Sequence, residues 1–378
     1  MGITLMVYRT TMFRQIHQIL PFLAFGDAIG NQVLELRRLL REWGYCSEIF
    51  AENWDPRLAT ECRSYQEYAR YSHPDNLLIL HYSIGGEVNR LVLDVPDRAV
   101  IYYHNITPAH FFYWVNGHMA RQCAEARRDL PMLAKKKILA IAASPYNADE
   151  LKSIGFEVLG VVPYIIQFEK LKVGESSPGS VEIRRRFADS NAINWLYVGR
   201  LVPNKCSQDI IKVFYYYHTW INPASRILLV GTGAGFEIYT EDLQRLVNRL
   251  GLEQAVIFAG HYGAADGLGM FYRMADLYVS MSEHEGFCIP LVEAMYYGLP
   301  VLAYASTGVP YTLENAGVMV RHKDYAVVAE IAHEMIANVE LRSRLVEGQR
   351  ARLAAFVPDV AHTQFRACVE AAKGFRKS

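Results

Sequence analysis
Short apolar runs alternate along the chain with segments whose apolar residues recur at helical spacing. The first run, Ile16–Ala24, is closed by Gly26-Asp27-Ala28-Ile29-Gly30. Val33, Leu34, Leu36, Leu39 and Leu40 then line one face of a predicted helix that runs to Trp43, with Gly44 as its stop. The same rhythm predicts strands at Cys46–Ala51, Leu77–His81, Ala99–Tyr103, Lys137–Ala143 and Glu157–Val162. Gly, Ser and Pro crowd into Lys170–Ser180, which reads as a linker or surface loop. Beyond it the rhythm restarts. Strands are predicted at Asn194–Val198, Arg226–Val230, Ala255–Gly260, Asp276–Met281 and Val301–Tyr304. Helices are predicted at Asp209–Thr219, Glu237–Leu250, Gly267–Met274 and Leu291–Tyr297, with further helical patterns near 324–338, 340–355 and 359–373.

Strand, loop, helix, strand repeated in this way predicts parallel sheets with helices on both faces. The chain divides into two doubly wound, Rossmann-like α/β units, over 1–170 and 171–357. A last helix in 358–378 is expected to pack back on the first unit. Ligands of such sheets bind at the C-terminal ends of the strands. Two units facing each other would set those ends on one central cleft.

Charge narrows the class. In 378 residues, Lys+Arg is 39 and Asp+Glu is 39, and the balance also holds within each half. A nucleic-acid binder normally carries a basic excess to neutralise phosphates, so that class is excluded. With 51% hydrophobic residues the chain can bury large cores. No apolar run approaches the ~18 residues that span a bilayer. Met1–Phe25 holds Arg9, Arg14, Gln15, His17 and Gln18, which break up any signal-peptide core. Cysteines 46, 62, 123, 206, 288 and 368 form no C-x-x-C pair, which fits a reducing, cytoplasmic compartment.

The strongest local signal runs from Ser282 to Val301. It leaves a predicted strand and enters a short helix, with Pro290 near the helix start and Gly298 past its end. Glu285 falls in the loop and Glu293 on the helix, eight residues later. Free N–H groups at the helix start favour an anion, and two carboxylates accept hydroxyl protons, a combination that suits a nucleotide sugar. The plainer reading is three solvated surface glutamates. A second signal, Val198-Gly199-Arg200-Leu201-Val202-Pro203-Asn204-Lys205, also leaves a strand tip. Its Arg and Lys would clamp a diphosphate. Gly231-Thr232-Gly233-Ala234-Gly235-Phe236 mimics a dinucleotide fingerprint, but its third Gly comes one place early and no acid ends the next strand. It reads as a tight turn.

Gly-Arg-x4-Lys at 199–205, Val230-Gly231-Thr232-Gly233, Phe258-Ala259-Gly260, Ala275–Val279 and the Glu285…Glu293 block stand in register over about 190–305. Together they resemble the donor half of the retaining family 4 glycosyltransferases, which have the GT-B fold and an E-x7-E motif. The resemblance implies that Arg200 and Lys205 hold the donor diphosphate, that Glu285 meets the sugar hydroxyls, and that Glu293 grips the ribose. The backbone of Gly286, Phe287 and Cys288 would line the sugar and phosphates, with Cys288 standing where the family usually has Gly. Thr307-Gly308-Val309-Pro310-Tyr311 lacks the Glu common there. Neither a cofactor nor a metal is implied, and no Asp-x-Asp lies near the site.

The first half resembles the family less closely. Gly26 and Gly30 belong to a strand-to-helix loop expected to approach the donor. His81 and His104 end successive predicted strands. The resemblance implies an acceptor contact for His81 and a place near the transferred sugar for His104. Arg121, Arg127, Arg128, Lys135, Lys136 and Lys137 stand against Glu125 and Asp129, downstream of Phe111-Phe112-Tyr113-Trp114. The 111–137 stretch would touch an anionic membrane face, or be a solvated helix beside buried aromatics.

The expected function is retaining, metal-independent hexosyl transfer from a nucleoside-diphosphate sugar such as a UDP- or GDP-sugar. The acceptor would be a saccharide or lipid-linked hydroxyl in bacterial surface polysaccharide or glycoconjugate assembly, and no nucleic acid is a partner. The alternatives are a nucleotide-sugar epimerase, which would convert donor without acceptor, a non-catalytic nucleotide-sugar-binding protein, and a membrane-surface adaptor.

Overall fold
The computed structural model describes residues 13–187 and 192–374, so the first twelve residues of the Met1–Phe25 segment lie outside the described residues. The apolar runs form two parallel sheets. The first contains β1 (Ile16–Leu23), β2 (Ile49–Trp54), β3 (Arg63–Ser64), β4 (Leu77–Tyr82), β5 (Arg98–Tyr103), β6 (Leu139–Ala142) and β7 (Val158–Val161), in the order β3-β2-β1-β4-β5-β6-β7. The second contains β8 (Ile193–Val198), β9 (Ser225–Val230), β10 (Val256–Gly260), β11 (Leu277–Ser280), β12 (Val301–Tyr304) and β13 (Val318–Val320), in the order β10-β9-β8-β11-β12-β13. All six residues of β4 are buried, as strands covered on both faces must be.

Each order reverses once, between β1 and β4 in the first sheet and between β8 and β11 in the second. Adjacent strands at a reversal send their connections to opposite faces, which opens a crevice beyond their C-terminal ends. Residues 24–30 and 83–86 therefore flank one crevice, and residues 199–205 and 281–288 flank the other.

The Lys170–Ser180 stretch is not a linker. It forms helix Phe168–Val173, a 3-10 turn at Gly174–Ser176, and the start of helix Pro178–Phe187. Its turn-forming residues are cap and packing residues. Ser177 Oγ accepts from the Ser180 N–H at 3.1 Å, with Pro178 at the helix start. A Cβ on Gly179 would stand 2.1 Å from the Asp266 carbonyl, so only glycine packs there. Strand β13 and helices Val88–Asp94 and Pro145–Ile154 have no counterpart among the elements predicted from the apolar rhythm.

The last helix, Pro358–Gly374, lies on the first sheet. Arg98 Nη1 donates to the carbonyls of Ala372 (2.6 Å) and Lys373 (2.9 Å), and Phe365 packs 5.6 Å from Trp43, centroid to centroid.

Candidate active site
The C-terminal wall of the cleft is charged. Lys205 ends a 3-10 turn after β8, and its Nζ lies 2.6 Å from Glu285 Oε2 in the loop after β11. The Glu285 carboxylate is buried, and the lysine keeps a partly exposed face. Burial works against the Lys205 ammonium, but Glu285 outweighs it and holds its pKa above the ordinary lysine value. Arg200, at the cleft mouth, stacks over Phe236 at 5.3 Å and donates to the Ala234 carbonyl at 3.3 Å. Crowding draws its pKa down, while Asp27 across the cleft pushes it back up.

Glu293 sits on helix Ile289–Tyr296, where the Tyr272 hydroxyl donates to its Oε2 at 2.6 Å. Burial raises this carboxyl above the usual glutamate value, against that hydrogen bond. The helix opens at Cys288, which adopts φ +72°. That left-handed conformation costs a side chain about 1–2 kcal/mol and explains why glycine suits the position. Gly286 is a true close approach. A Cβ there would stand 2.8 Å from both Asn105 Cβ and the His104 carbonyl oxygen.

The N-terminal wall begins at Gly26, with φ +75°. Asp27 caps helix Ala28–Glu42 by accepting from the Gly30 N–H at 2.6 Å, and a Cβ on Gly30 would collide with the Ala24 carbonyl. Asp27 keeps access to water but is hemmed in by protein. That crowding raises its carboxyl to about 6, against the pull of the Gly30 N–H and Arg200.

The two histidines are placed otherwise than expected. His81 is 1% exposed, with Nε2 2.9 Å from Gln18 Oε1 and Nδ1 2.8 Å from His104 Nε2. It lies beneath the cleft with both nitrogens engaged and has none to offer an acceptor. His104 is 6% exposed, and its Nδ1 lies 2.9 Å from the Tyr164 hydroxyl. Its ring faces inward, and its backbone carbonyl faces Gly286. The strand-tip position was legible, but the direction of the rings was not.

Several residues at the cleft escaped the sequence reading. Asn105 (φ +82°) accepts from His284 Nε2 through its Oδ1 and donates to Asn147 Oδ1 at 2.8 Å. Burial lowers the His284 pKa to about 4. Ser144 Oγ donates to the Gly286 carbonyl at 2.6 Å, and Asn116 Nδ2 to the Gly235 carbonyl at 2.8 Å. The Tyr164 and Phe287 rings meet edge-on at 5.5 Å. These contacts tie the first unit to the 284–288 loop of the second and, through Asn116, to its 231–236 turn. Only the positions of Asn105 and Ser144 just past β5 and β6 gave any signal for them.

Cys206, Asp209 and Glu283 lie close enough together for an ion. Lys323 Nζ already lies among them, 2.7 Å from Asp209 and 2.8 Å from Glu283. In the 111–137 stretch, Trp114 (91%) and Tyr113 (61%) are exposed, while Phe112 is buried. Arg127 turns inward to Glu150 and the Ile106 carbonyl, leaving Arg121, Arg128, Lys135, Lys136 and Lys137 as exposed cations, of which Arg128 pairs with Asp129. Among the described residues no helix is long and apolar enough to cross a membrane.

Comparison with known proteins agrees with this architecture. Residues 182–352 match the family model of Glycosyl transferases group 1. The N-acetyl-alpha-D-glucosaminyl L-malate synthase of Bacillus anthracis is 30% identical over 147 residues, 38% of this chain and 36% of that protein. The D-inositol 3-phosphate glycosyltransferase of Streptomyces avermitilis is 23% identical over 320 residues, 71% of this chain and 68% of that one. The match thus spans about a third of the first relative and about two thirds of the second. The sucrose-phosphate synthase structure from Thermosynechococcus elongatus superposes with a TM-score of 0.71 at 20% identity, covering 93% of this chain and 98% of that one. The fold is that of the GT-B glycosyltransferases, two Rossmann-like domains each built on a parallel sheet.

Proposed function
We propose that this protein transfers a sugar, with retention of anomeric configuration, from a nucleoside-diphosphate sugar to an acceptor hydroxyl. The observation that carries the reading is the convergence of Arg200, Lys205, Glu285 and Glu293 at the reversal point of the second sheet, opposite the Gly26–Gly30 loop. The difficult step is rupture of the anomeric C–O bond, as negative charge grows on the leaving diphosphate and positive charge on the sugar. Lys205, Arg200 and the N–H groups at the start of helix Ile289–Tyr296 stabilise the growing negative charge. Glu285, already paired with Lys205, accepts from sugar hydroxyls, and Glu293 accepts from the ribose. The acceptor oxygen attacks the face the diphosphate leaves, and its proton passes to the departing phosphate oxygen. One C–O bond breaks, one forms, and no metal is needed for the charge balance.

The contacts of Asn105, Ser144 and Tyr164 with the 284–287 loop support a cleft that closes on the donor and excludes water, limiting hydrolysis. The acceptor is a saccharide or lipid-linked hydroxyl in surface polysaccharide or glycoconjugate assembly, reached from the cytoplasm. Exposed Trp114 and Tyr113 ahead of helix Gly117–Lys135, with exposed cations along it and at its far end, support contact with an anionic membrane face. The test is a matrix of UDP- and GDP-sugars against saccharide, lipid-linked, L-malate and inositol-phosphate acceptors. Products are read by mass spectrometry and their anomeric configuration by NMR. A product of inverted configuration, or donor conversion without any acceptor, overturns the reading.

A further inference from the structure
Four polar side chains form an unbroken buried line beneath the N-terminal wall. Tyr164 Oη lies 2.9 Å from His104 Nδ1, His104 Nε2 2.8 Å from His81 Nδ1, and His81 Nε2 2.9 Å from Gln18 Oε1. Gln18 Nε2 continues it, donating to the Val33 carbonyl at 3.0 Å. All four residues are less than a tenth exposed. They come from four separate segments: β1, β4, the tip of β5 and the crossover after β7.

The chemistry of each group fixes the direction of the line. A carbonyl only accepts, so the Gln18 amide turns its nitrogen to Val33 and its oxygen to His81. His81 must therefore carry its proton on Nε2. Burial holds this ring neutral, with a pKa lowered to about 3, so Nδ1 is a lone pair that accepts from His104 Nε2. Burial and the neighbouring His81 keep His104 neutral too, which leaves its Nδ1 to accept from the Tyr164 hydroxyl. Tyr102 stacks on both imidazoles, at 5.5 Å and 4.6 Å, and fixes their planes. The other titratable groups facing the line are Tyr102 itself and, acting on Tyr164 across the cleft, Asp27 and Glu285.

Tyr164 belongs to the segment that leaves the first sheet for the second unit. Its ring packs against Phe287, and its hydroxyl heads the line. His104, next in line, presents its carbonyl to Gly286. We propose that Tyr164 is a positioning residue, whose hydroxyl heads a one-way relay Tyr164→His104→His81→Gln18. The relay locks both histidines as neutral Nε2–H tautomers and sets the β4 and β5 tips against the donor loop. This deepens the transferase reading and rests on it for its role in turnover. The relay itself stands on the hydrogen-bond geometry and on the neutrality that burial imposes on both rings, and needs no substrate. His104 then acts through its position and carries no proton during the reaction.

The test that needs no substrate is two-bond 1H–15N correlation of histidine-labelled protein, with signals assigned by loss in His81→Gln and His104→Gln. Both rings are expected as neutral Nε2–H tautomers that do not titrate between about pH 5.5 and 8. In Tyr164→Phe the His104 Nδ1 signal should move toward the value of an unbonded lone pair. An Nδ1–H tautomer at either ring, titration within that range, or an unmoved His104 Nδ1 signal in a folded Tyr164→Phe overturns the proposal. The spectrum of the unaltered protein decides the tautomers even if a variant does not fold. In a transfer assay, Tyr164→Phe should lower kcat on the order of tenfold while leaving donor KM within about twofold. A raised KM with unchanged kcat would make Tyr164 a binding contact and overturn its positioning role. Absence of any transfer by the unaltered chain would sink the proposed function, while the tautomers would still be judged by the spectrum.

Discussion
The two walls of the cleft bury polar groups in opposite ways. On the C-terminal wall the groups are charge-bearing residues, Lys205 paired with Glu285, while Glu293 is held by a tyrosine hydroxyl. On the N-terminal wall they are neutral and linked end to end, Tyr164 to His104 to His81 to Gln18. An ion pair can open and re-form around an incoming diphosphate, because each partner keeps its charge. A neutral line in which both nitrogens of each imidazole are engaged has no imidazole nitrogen to offer a ligand without breaking. Under the proposed function, reactivity belongs to the second unit and rigid support to the first.

The contrast breaks most visibly if the charged wall is dispensable. Lys205→Ala should lower transfer by at least ~100-fold, the scale of losing one charge-stabilising contact. It also strands the buried Glu285, so turnover must be compared well below the melting temperature of the variant. Near-normal turnover would remove the diphosphate role.

The contact between the walls is the next target. Gly286→Ala introduces a Cβ 2.8 Å from Asn105 Cβ and the His104 carbonyl oxygen, so the units should no longer close. Turnover should fall about 10–100-fold. Small-angle scattering should show a wider particle. An unchanged particle with full activity would show that the contact is irrelevant.

The neutral groups act on stability rather than on turnover. Burial lowers the pKa of His17 and His284 to about 4 and that of His81 to about 3. Unfolded, these rings take protons near the ordinary value of 6.5, whereas the folded chain keeps them neutral well below it. Below that pH the folded state binds fewer protons. Stability that is whole above about pH 6.5 is therefore lost as pH falls, by up to ~1.4 kcal/mol per pH unit for each ring. Asp27, its carboxyl raised to about 6, has the opposite slope and offsets part of the loss. Urea unfolding at about pH 7.5 and pH 5.5 measures the difference, and an unchanged midpoint would mean that these rings are not held neutral.

The charged wall was legible because its residues are contiguous. Ser282–Val301 carries the loop, the helix start and both glutamates in one stretch, and Gly199–Lys205 sits at the tip of an adjacent strand. The neutral wall draws residues 18, 81, 104 and 164 from four places, and only strand register unites them. Gln18 pairs with Ile79 inside β1 and His81 with Tyr102 near the end of β4, which sets the Gln18 side chain within reach of His81, and His81 within reach of His104 just past β5. Sequence placed both histidines at strand ends but could not say which way their rings turn. The Lys170–Ser180 stretch misled for a related reason. Gly174 and Gly179 are there because the turn at 264–267 packs against them, a long-range contact that composition reads as looseness.

The central claim, that the charged wall binds a nucleoside-diphosphate sugar, is tested most directly by thermal shift. The unaltered chain and an Arg200→Ala/Lys205→Ala double variant are titrated with UDP- and GDP-sugars. At a hundredfold excess over Kd a true donor should stabilise the unaltered chain by ~2.7 kcal/mol, a rise in Tm that the variant should lose. No stabilisation by any nucleotide sugar, or an equal rise in the double variant, would contradict it.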